Sequence, residues 1–190
     1  MKAVAITRYL PITDPKAFLD VELPKPAPTG RDLLVAVKAV SINPVDTKIR
    51  KSKGQDVVED PPRVLGWDAS GVVEAVGSDV TLFSPGDEVY YAGDITRSGS
   101  NSEFQLVDER IVGTKPVSLD FAQAAALPLT TITAYECFFE RLGIDRDDAH
   151  KGQTLFIIGA GGGVGSIGIQ LAKAAGLTVI ATASRPETTS

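Results

Sequence analysis

Short apolar runs, interrupted by proline, glycine and aspartate, dominate the sequence from Met1 to about Thr114. Runs of this length that are rich in β-branched residues and bounded by turn-forming residues are typical of β-strands. They predict an antiparallel β-barrel or sandwich with a few helical turns. The predicted strands are Lys2–Thr7, Leu33–Ile42, Ala69–Val76, Glu88–Ala92 and Glu103–Val107.

The pattern changes after Pro116, where helical periodicity replaces the short apolar runs. Two helices are predicted, over Asp120–Leu127 and Thr131–Leu142, and a glycine directly follows the second. We therefore predict a first domain over residues 1–127 and a second domain over residues 128–190.

The second region contains one strand–helix–strand unit. The apolar run Leu155–Ile158 is typical of a strand that is buried on both faces, and Thr178–Thr182 has the same character. Between them, Ile167, Leu171 and Ala174 have the spacing of one helix face. Strands joined in this way run parallel with a right-handed crossover, so the sequence predicts part of an α/β doubly wound sheet.

A glycine-rich loop joins the first of these strands to the helix, with the sequence Gly159-Ala160-Gly161-Gly162-Gly163-Val164-Gly165-Ser166. Backbone N–H groups in such a loop, together with the positive end of the helix, can bind a pyrophosphate. The G-x-G-x-x-G fingerprint fits in two registers: Ala160, Gly162 and Gly165 with an alanine at the first position, or Gly163, Gly165 and Gly168 in strict form. The strict register begins further into the helix.

The predicted cofactor-binding residues of the loop are Ala160, Gly162, Gly163, Val164 and Gly165. A Walker loop is excluded, because glycine rather than lysine precedes the serine. A glycine-rich turn that only packs the helix against the strand is the alternative interpretation.

The residues after the second strand bear on the choice of cofactor. An NAD-binding unit usually has Asp or Glu about 20 residues beyond the glycines, where it accepts hydrogen bonds from the ribose hydroxyls. Here that position is Ser184, followed by Arg185, and the first carboxylate is Glu187. A hydroxyl and a guanidinium suit a 2′-phosphate, so NADPH is favoured over NADH. A polar loop without any contact to the cofactor is the alternative.

Composition and charge exclude several classes of protein. The 190 residues carry a formal net charge of −5, so we expect no nucleic-acid partner and no anionic membrane partner. One Cys and one His exclude an intramolecular disulfide, and they exclude zinc sites of the all-Cys, three-His and HExxH types. The sequence shows no secretory leader and no run of about 20 apolar residues. We therefore expect a cytoplasmic location.

Several segments match one family in the family's own order: Ser41–Asp46, Leu65–Val73, Phe83–Val89, Ala125–Thr131, Thr133–Tyr135 and the glycine loop. On these motifs the chain resembles the medium-chain dehydrogenase/reductase superfamily, in its quinone-oxidoreductase-like branch, which is often labelled zinc-type alcohol dehydrogenase-like. The resemblance implies a GroES-like antiparallel β-barrel domain, then a Rossmann domain, with the active site between them. Family members are longer, so we expect a chain truncated within the Rossmann domain, a homodimeric parent protein and a small-molecule substrate.

The resemblance also implies the chemistry of the site. Zinc-dependent members have Cys, His and Cys at the positions of Asn43, Trp67 and Leu129, so we expect no catalytic zinc. Without that metal the easier reaction is hydride transfer from NADPH to an activated acceptor, such as a quinone or an α,β-unsaturated carbonyl. A zinc-dependent alcohol dehydrogenase with displaced ligands and a non-catalytic nucleotide-binding protein are the alternatives.

By the same resemblance, Asn43 and Asp46 lie beside the nicotinamide and Thr130 bonds its carboxamide region. Lys48 stands where quinone reductases often have a tyrosine. The predicted catalytic residues are Asn43, Asp46, Lys48 and Trp67.

Structural roles are the alternatives for these residues. Asn43 and Asp46 can cap a short helix, and Trp67 can be a core aromatic residue. Cys137 is predicted to belong to the core rather than to be a nucleophile. A solvated helix face is predicted for the basic cluster formed by Lys48, Arg50, Lys51 and Lys53.

Overall fold

The computed structural model describes residues 1–145 and 149–184. The strands are β1 Lys2–Arg8, β2 Leu19–Glu22, β3 Asp32–Ser41, β4 Val58–Val64, β5 Asp68–Val76, β6 Glu88–Ala92, β7 Phe104–Asp108, β8 Val112–Thr114, β9 Thr154–Ile157 and β10 Thr178–Ala181. The α-helices are α1 Pro44–Arg50, α2 Phe121–Ala125, α3 Pro128–Tyr135 and α4 Gly163–Ala174. The chain divides into two compact units, Met1–Pro128 and Leu129–Ser190.

The first unit is built from two antiparallel sheets, as the sequence predicts. One has five strands in the order β7-β3-β5-β6-β8, and the other has three in the order β2-β1-β4. The core of the larger sheet consists of Leu33, Val35, Ala69, Val73, Val89, Tyr91 and Val107. Burial of these β-branched and aromatic side chains is the main force that holds the sheet together.

The register between β3 and β5 positions the first group of candidate residues. The pairing runs from Leu33 opposite Val76 to Ser41 opposite Asp68. The end of β3 therefore lies beside the beginning of β5. The chain leaves β3, passes Asn43 and enters α1 at this edge, so α1 begins close to Asp68.

All five strands predicted in this unit are present, but β2, β4 and β8 were missed. The segment of β4 contains Pro61 and Pro62. These residues argue against a strand in the sequence, because proline has no N–H to donate to a neighbouring strand. In the structure β4 is an edge strand, paired with β1 alone, where the missing N–H groups are tolerated.

The second unit contains the predicted strand–helix–strand arrangement. Strands β9 and β10 pair in parallel, from Thr154 opposite Thr178 to Ile157 opposite Ala181, and α4 connects them. The predicted helix over residues 131–142 instead consists of α3 followed by a π-helical segment, Glu136–Arg141. In the described residues, no helix combines the length and the apolar character that crossing a bilayer requires.

Candidate functional site

The residues singled out by the sequence form one group in each unit. In the first unit, Asn43 is the N-cap residue of α1. Its N–H donates to Oδ2 of Asp46 at 2.7 Å, and the N–H of Asp46 donates to the Asn43 carbonyl at 3.0 Å. The proposed capping role is therefore real, because these bonds satisfy groups that a helix N-terminus leaves without partners. In these two bonds it is the backbone of Asn43 that takes part.

The side chain of Asn43 binds a buried carboxylate. Its Nδ2 donates to Oδ2 of Asp68 at 2.8 Å and to the Ser41 carbonyl at 3.4 Å. Asn43 is 5% exposed and Asp68 is fully buried at the start of β5. A carboxylate is costly to bury without hydrogen-bond donors, so the amide of Asn43 is one of the groups that stabilise Asp68 in this position. Asp68 was not predicted as a site residue.

Asp46 carries the most unusual polar atom of this group. Its Oδ1 is fully buried and has no hydrogen-bond partner among the described residues. Burial raises the pKa of the Asp46 carboxyl, while the N–H groups of Asn43 and Gly66 lower it, and the net shift is upward. Asp46 therefore retains a proton to a higher pH than an exposed aspartate does.

Trp67 directly precedes Asp68 and is 5% exposed. Its indole N–H is a donor without a lone pair, and the amide nitrogen of Asn43 donates to a carboxylate. Neither side chain is a zinc ligand of the usual N, S or carboxylate kind. Within residues 1–145 and 149–184, no three His, Cys, Asp or Glu side chains come together in a way that could hold a metal ion.

The structure does not bring Lys48 to this group. Lys48 is exposed and lies about 200° around α1 from Asp46, because successive helical residues are about 100° apart. The prediction of a wholly solvated basic face is wrong for Arg50, which is buried. Cys137 is exposed on the π-helical segment, so the prediction that it belongs to the core is also wrong.

The second group surrounds the glycine loop. The N–H of Ala160 donates to the Thr182 carbonyl at 2.8 Å, and the N–H of Gly159 donates to Thr182 Oγ1 at 3.1 Å. These bonds tie the loop to the residue that follows β10. Thr182 was not predicted as a site residue, although a hydroxyl at the end of a parallel strand beside a glycine loop is a recognisable signal.

The start of α4 distinguishes between the two fingerprint registers. Gly162 is the N-cap residue, so Gly163 is already in the first turn. A Cβ on Gly165 would lie 2.4 Å from Cα of Ala160, which means that the helix and the loop approach each other closely at this point. In the fingerprint, the third glycine permits such packing and the second permits approach of the pyrophosphate. The structure therefore favours Ala160, Gly162 and Gly165.

The remaining predicted residues lie around this loop. Thr130, near the start of α3, packs against the first turn of α4, since a Cβ on Gly163 would lie 3.0 Å from its Cγ2. Val164 is 40% exposed in that first turn. Ser184 is exposed three residues after β10, and Arg185 lies outside the described residues. Gly159, Gly161, Gly162 and Gly163 are exposed in this loop, and glycine permits close approach of a ligand to the backbone.

Comparison with known proteins identifies the family. The family described as Alcohol dehydrogenase GroES-like domain matches residues 29–132, which is more than half of the chain. The chain belongs to the medium-chain dehydrogenase/reductase superfamily. The sheets of the first unit are accordingly those of a GroES-like β-barrel domain, and the β9–α4–β10 arrangement is part of a Rossmann-type fold.

Individual superfamily members are similar over the whole chain. A zinc-type alcohol dehydrogenase-like protein of Staphylococcus aureus is 50% identical over 190 residues, which are 100% of this chain and 56% of that protein. The crystal structure of a Rhizobium etli protein, provisionally named a zinc-dependent alcohol dehydrogenase, matches with 59% identity and a TM-score of 0.91, over 99% of this chain and 54% of that one. The chain thus spans about half the length of these relatives.

More distant superfamily members carry names that describe a reaction or a ligand. The 2-methylene-furan-3-one reductase of Solanum lycopersicum is 42% identical over 74% of this chain and 36% of that protein. The quinone oxidoreductase of Coxiella burnetii matches with 32% identity and a TM-score of 0.79, over 97% of this chain and 57% of that one. Mycobacterial Rv1454c, complexed with NADPH, matches with 30% identity and a TM-score of 0.78, over 99% and 54%.

Proposed function

We propose that the whole protein transfers a hydride from NADPH to an activated acceptor, a quinone or an α,β-unsaturated carbonyl, without a catalytic zinc. The observation that carries this proposal is the chemistry of the first group, where the Asn43 amide donates to Asp68 and Trp67 offers no lone pair. The names of the tomato reductase and the Coxiella quinone oxidoreductase support the acceptor class.

A site without a bound zinc suits reduction of an electrophilic acceptor better than oxidation of an alcohol. An alcohol must lose its proton at neutral pH, and a Lewis-acid metal makes this feasible by lowering the pKa of the hydroxyl. Hydride addition to a quinone or enone leaves an oxyanion, which hydrogen-bond donors can stabilise. In this proposal Trp67 shapes the acceptor pocket, and Asp46, whose Oδ1 is buried without a hydrogen-bond partner among the described residues, lies beside the nicotinamide.

The second group binds the cofactor in this proposal. When bound, NADPH supplies the hydride and leaves as NADP⁺, while the acceptor takes up one proton in addition. The N–H groups of Gly163, Val164 and Gly165 at the start of α4 bind the pyrophosphate, and glycines at exposed loop positions allow its approach. Ser184 and Arg185 bind the 2′-phosphate, by a hydroxyl and a guanidinium.

A fluorescence titration of the chain with NADPH and NADH tests the choice of cofactor. NADPH is expected to bind more tightly, and Arg185→Ala is expected to weaken NADPH binding about tenfold with little effect on NADH, because a charge-assisted hydrogen bond to phosphate is lost. Lys173→Ala removes an exposed cation elsewhere in the same unit and is expected to change neither affinity. Equal affinities for the two nucleotides, or an unaltered preference in Arg185→Ala, would contradict the assignment.

Metal analysis after exhaustive dialysis tests the absence of zinc. Far less than one zinc ion per chain is expected, because the residues at two of the family's ligand positions in the first unit are Asn43 and Trp67. Two of the relatives have zinc in their names, so a zinc-dependent enzyme with displaced ligands is the alternative that this measurement tests. Stoichiometric zinc that survives dialysis would favour that alternative. Failure of the whole protein to oxidise NADPH with any quinone, enone or aldehyde would favour a non-catalytic role.

A further inference from the structure

A pocket in the first unit lies at the opposite end of α1 from Asn43. Its volume is about 550 Å³, and its walls are the turn after β1 and the loop after α1, with Tyr9–Thr13, Arg50, Lys51, Lys53, Gly54 and Gln55. Three lining side chains are cations and none is a carboxylate. Since α1 has seven residues, the two ends of the helix are about 10 Å apart. The pocket is therefore distinct from the group around Asn43.

Arg50 is the buried cation of this pocket. It is only 5% exposed, and its Nη1 donates to the Leu10 carbonyl at 2.7 Å. Its guanidinium lies 5.8 Å from the centre of the Phe18 ring, and it makes no ion pair in the part of the chain that the structure describes. A guanidinium has five N–H donors, and burying its charge without a carboxylate is costly. An anion in the pocket would supply the missing counter-charge.

The two lysines add positive charge on the same side. Lys51 follows the last residue of α1, is exposed and pairs with no acidic side chain of the described chain. Lys53 Nζ donates to Glu59 Oε1 at 2.8 Å. The same carboxylate accepts from the Tyr9 hydroxyl and lies 4.0 Å from Arg63, so it is shared among several positive or donating groups. A second carboxylate, that of Asp56, lies beside Gly54 of the pocket wall. Together Glu59 and Asp56 offset two of the three cations, so the pocket keeps a net positive charge.

A structural role accounts for only part of this arrangement. Cations near a helix C-terminus interact favourably with its dipole, which explains why lysines are tolerated at the end of α1. The helix dipole does not explain why Arg50 is buried and bound to a neutral carbonyl. In another groove of the unit, Arg97 pairs with Asp32 at 2.9 Å and Arg63 donates to the Tyr9 hydroxyl at 3.2 Å. Those arginines already have charged or hydroxyl partners, whereas in the described residues Arg50 donates to a neutral carbonyl and Lys51 pairs with no acidic side chain.

We propose that this pocket binds a small oxyanion of the phosphate or carboxylate class. The guanidinium of Arg50 and the ammonium group of Lys51 bind the anion, and the side-chain amide of Gln55 is positioned on the same wall to donate to it. Leu10, Pro11 and Ile12 form an apolar wall for a carbon skeleton attached to the anion, and Ile12 is 63% exposed there. The proposal does not depend on the proposed reductase function.

Isothermal titration of this chain with inorganic phosphate, and separately with acetate, tests the site at constant ionic strength. Saturable binding of at least one of the two anions is expected, and the comparison identifies the preferred class. Lys51→Gln is expected to weaken this binding about tenfold, because one charge-assisted contact is lost. Gln55→Glu is expected to weaken it to a similar extent, since a nearly isosteric change adds negative charge to the wall.

Two controls make the outcome specific to the pocket. Lys173→Gln is the same substitution at an exposed lysine of the second unit and is expected to leave binding unchanged. Arg50 is not substituted, because it also anchors the Leu10 turn and its loss could unfold the region. Heats that do not exceed those of chloride would overturn the proposal. So would saturable binding that neither Lys51→Gln nor Gln55→Glu weakens, because it would place the anion elsewhere, for example at the start of α4.

Discussion

Replacing Gly165 with alanine is expected to weaken NADPH binding by up to about 100-fold, since overpacking a close contact costs about 1–3 kcal/mol. A Cβ at this position would lie 2.4 Å from Cα and 2.8 Å from the carbonyl oxygen of Ala160. Both atoms belong to the backbone, so no side-chain rotation can relieve the clash. The first turn of α4 must then move away from the loop, and the N–H groups that we propose bind the pyrophosphate move with it.

Gly162→Ala is the matched control for this prediction. A Cβ on Gly162 would have the Gly159 carbonyl oxygen as its nearest contact, at 3.6 Å, and the backbone φ of −86° suits an L-residue. We expect this variant to leave the thermal unfolding midpoint nearly unchanged, so any loss of NADPH affinity in it reports only the approach of the pyrophosphate that Gly162 permits. Gly165→Ala is expected to lower both the midpoint and the affinity. Fluorescence titration and thermal unfolding of both variants provide the comparison. Unchanged affinity in Gly165→Ala would show that the loop does not bind the cofactor.

The elements that could be predicted from the sequence are those long enough for their apolar residues to show the period of a strand or of a helix. β3, β9 and β10 are examples, because each was predicted within one residue of its observed bounds, and the predicted helix face of Ile167, Leu171 and Ala174 lies within α4. β8 has only three residues, and β4 contains two adjacent prolines, so neither shows strand periodicity. Their places in the sheets depend on pairing with strands distant in sequence, which tertiary packing rather than local propensity decides.

The candidate site likewise contains residues that could be predicted from the sequence and residues that could not. Motif spacing identified Asn43, Asp46 and the glycine loop, because these residues are close together in the sequence. Asp68 was missed because its burial arises from the register that places Ser41 opposite it. Arg50 could have been found, since positions 43, 46 and 50 follow the i, i+3, i+7 spacing of one helix face and two of them are buried. The basic composition of the segment concealed that periodicity.

Glu109 is a buried charge of the first unit that is bound by three hydrogen-bond donors. It is fully buried in the 3-10 turn after β7. Its Oε1 accepts from Nη1 of Arg31 at 2.6 Å, and its Oε2 accepts from the N–H groups of Thr81 and Leu82 at 2.9 and 2.7 Å. Burial raises the pKa of this carboxyl, but the two N–H groups and the guanidinium lower it more, and the net shift is downward.

Glu109→Gln is expected to reduce the free energy of unfolding at pH 7, because the amide retains one acceptor oxygen and loses the charge that binds Arg31 and the two N–H groups. A carboxyl whose pKa is lower in the folded state stabilises the fold above its unfolded pKa, near 4.5, and loses that effect as the pH falls through the folded pKa. The difference between wild type and variant should therefore shrink with acidification. Denaturant unfolding at pH 7 and near pH 3 measures it.

Glu74→Gln provides the matched comparison for Glu109→Gln. Glu74 pairs with Lys25 on the surface, where both side chains are about 40% exposed, and exposed ion pairs contribute at most about 1 kcal/mol. At pH 7 the Glu109 variant is expected to lose several times more stability than the Glu74 variant. Equal losses in the two variants would mean that the loop containing Thr81 and Leu82 is held by its packing rather than by the carboxylate.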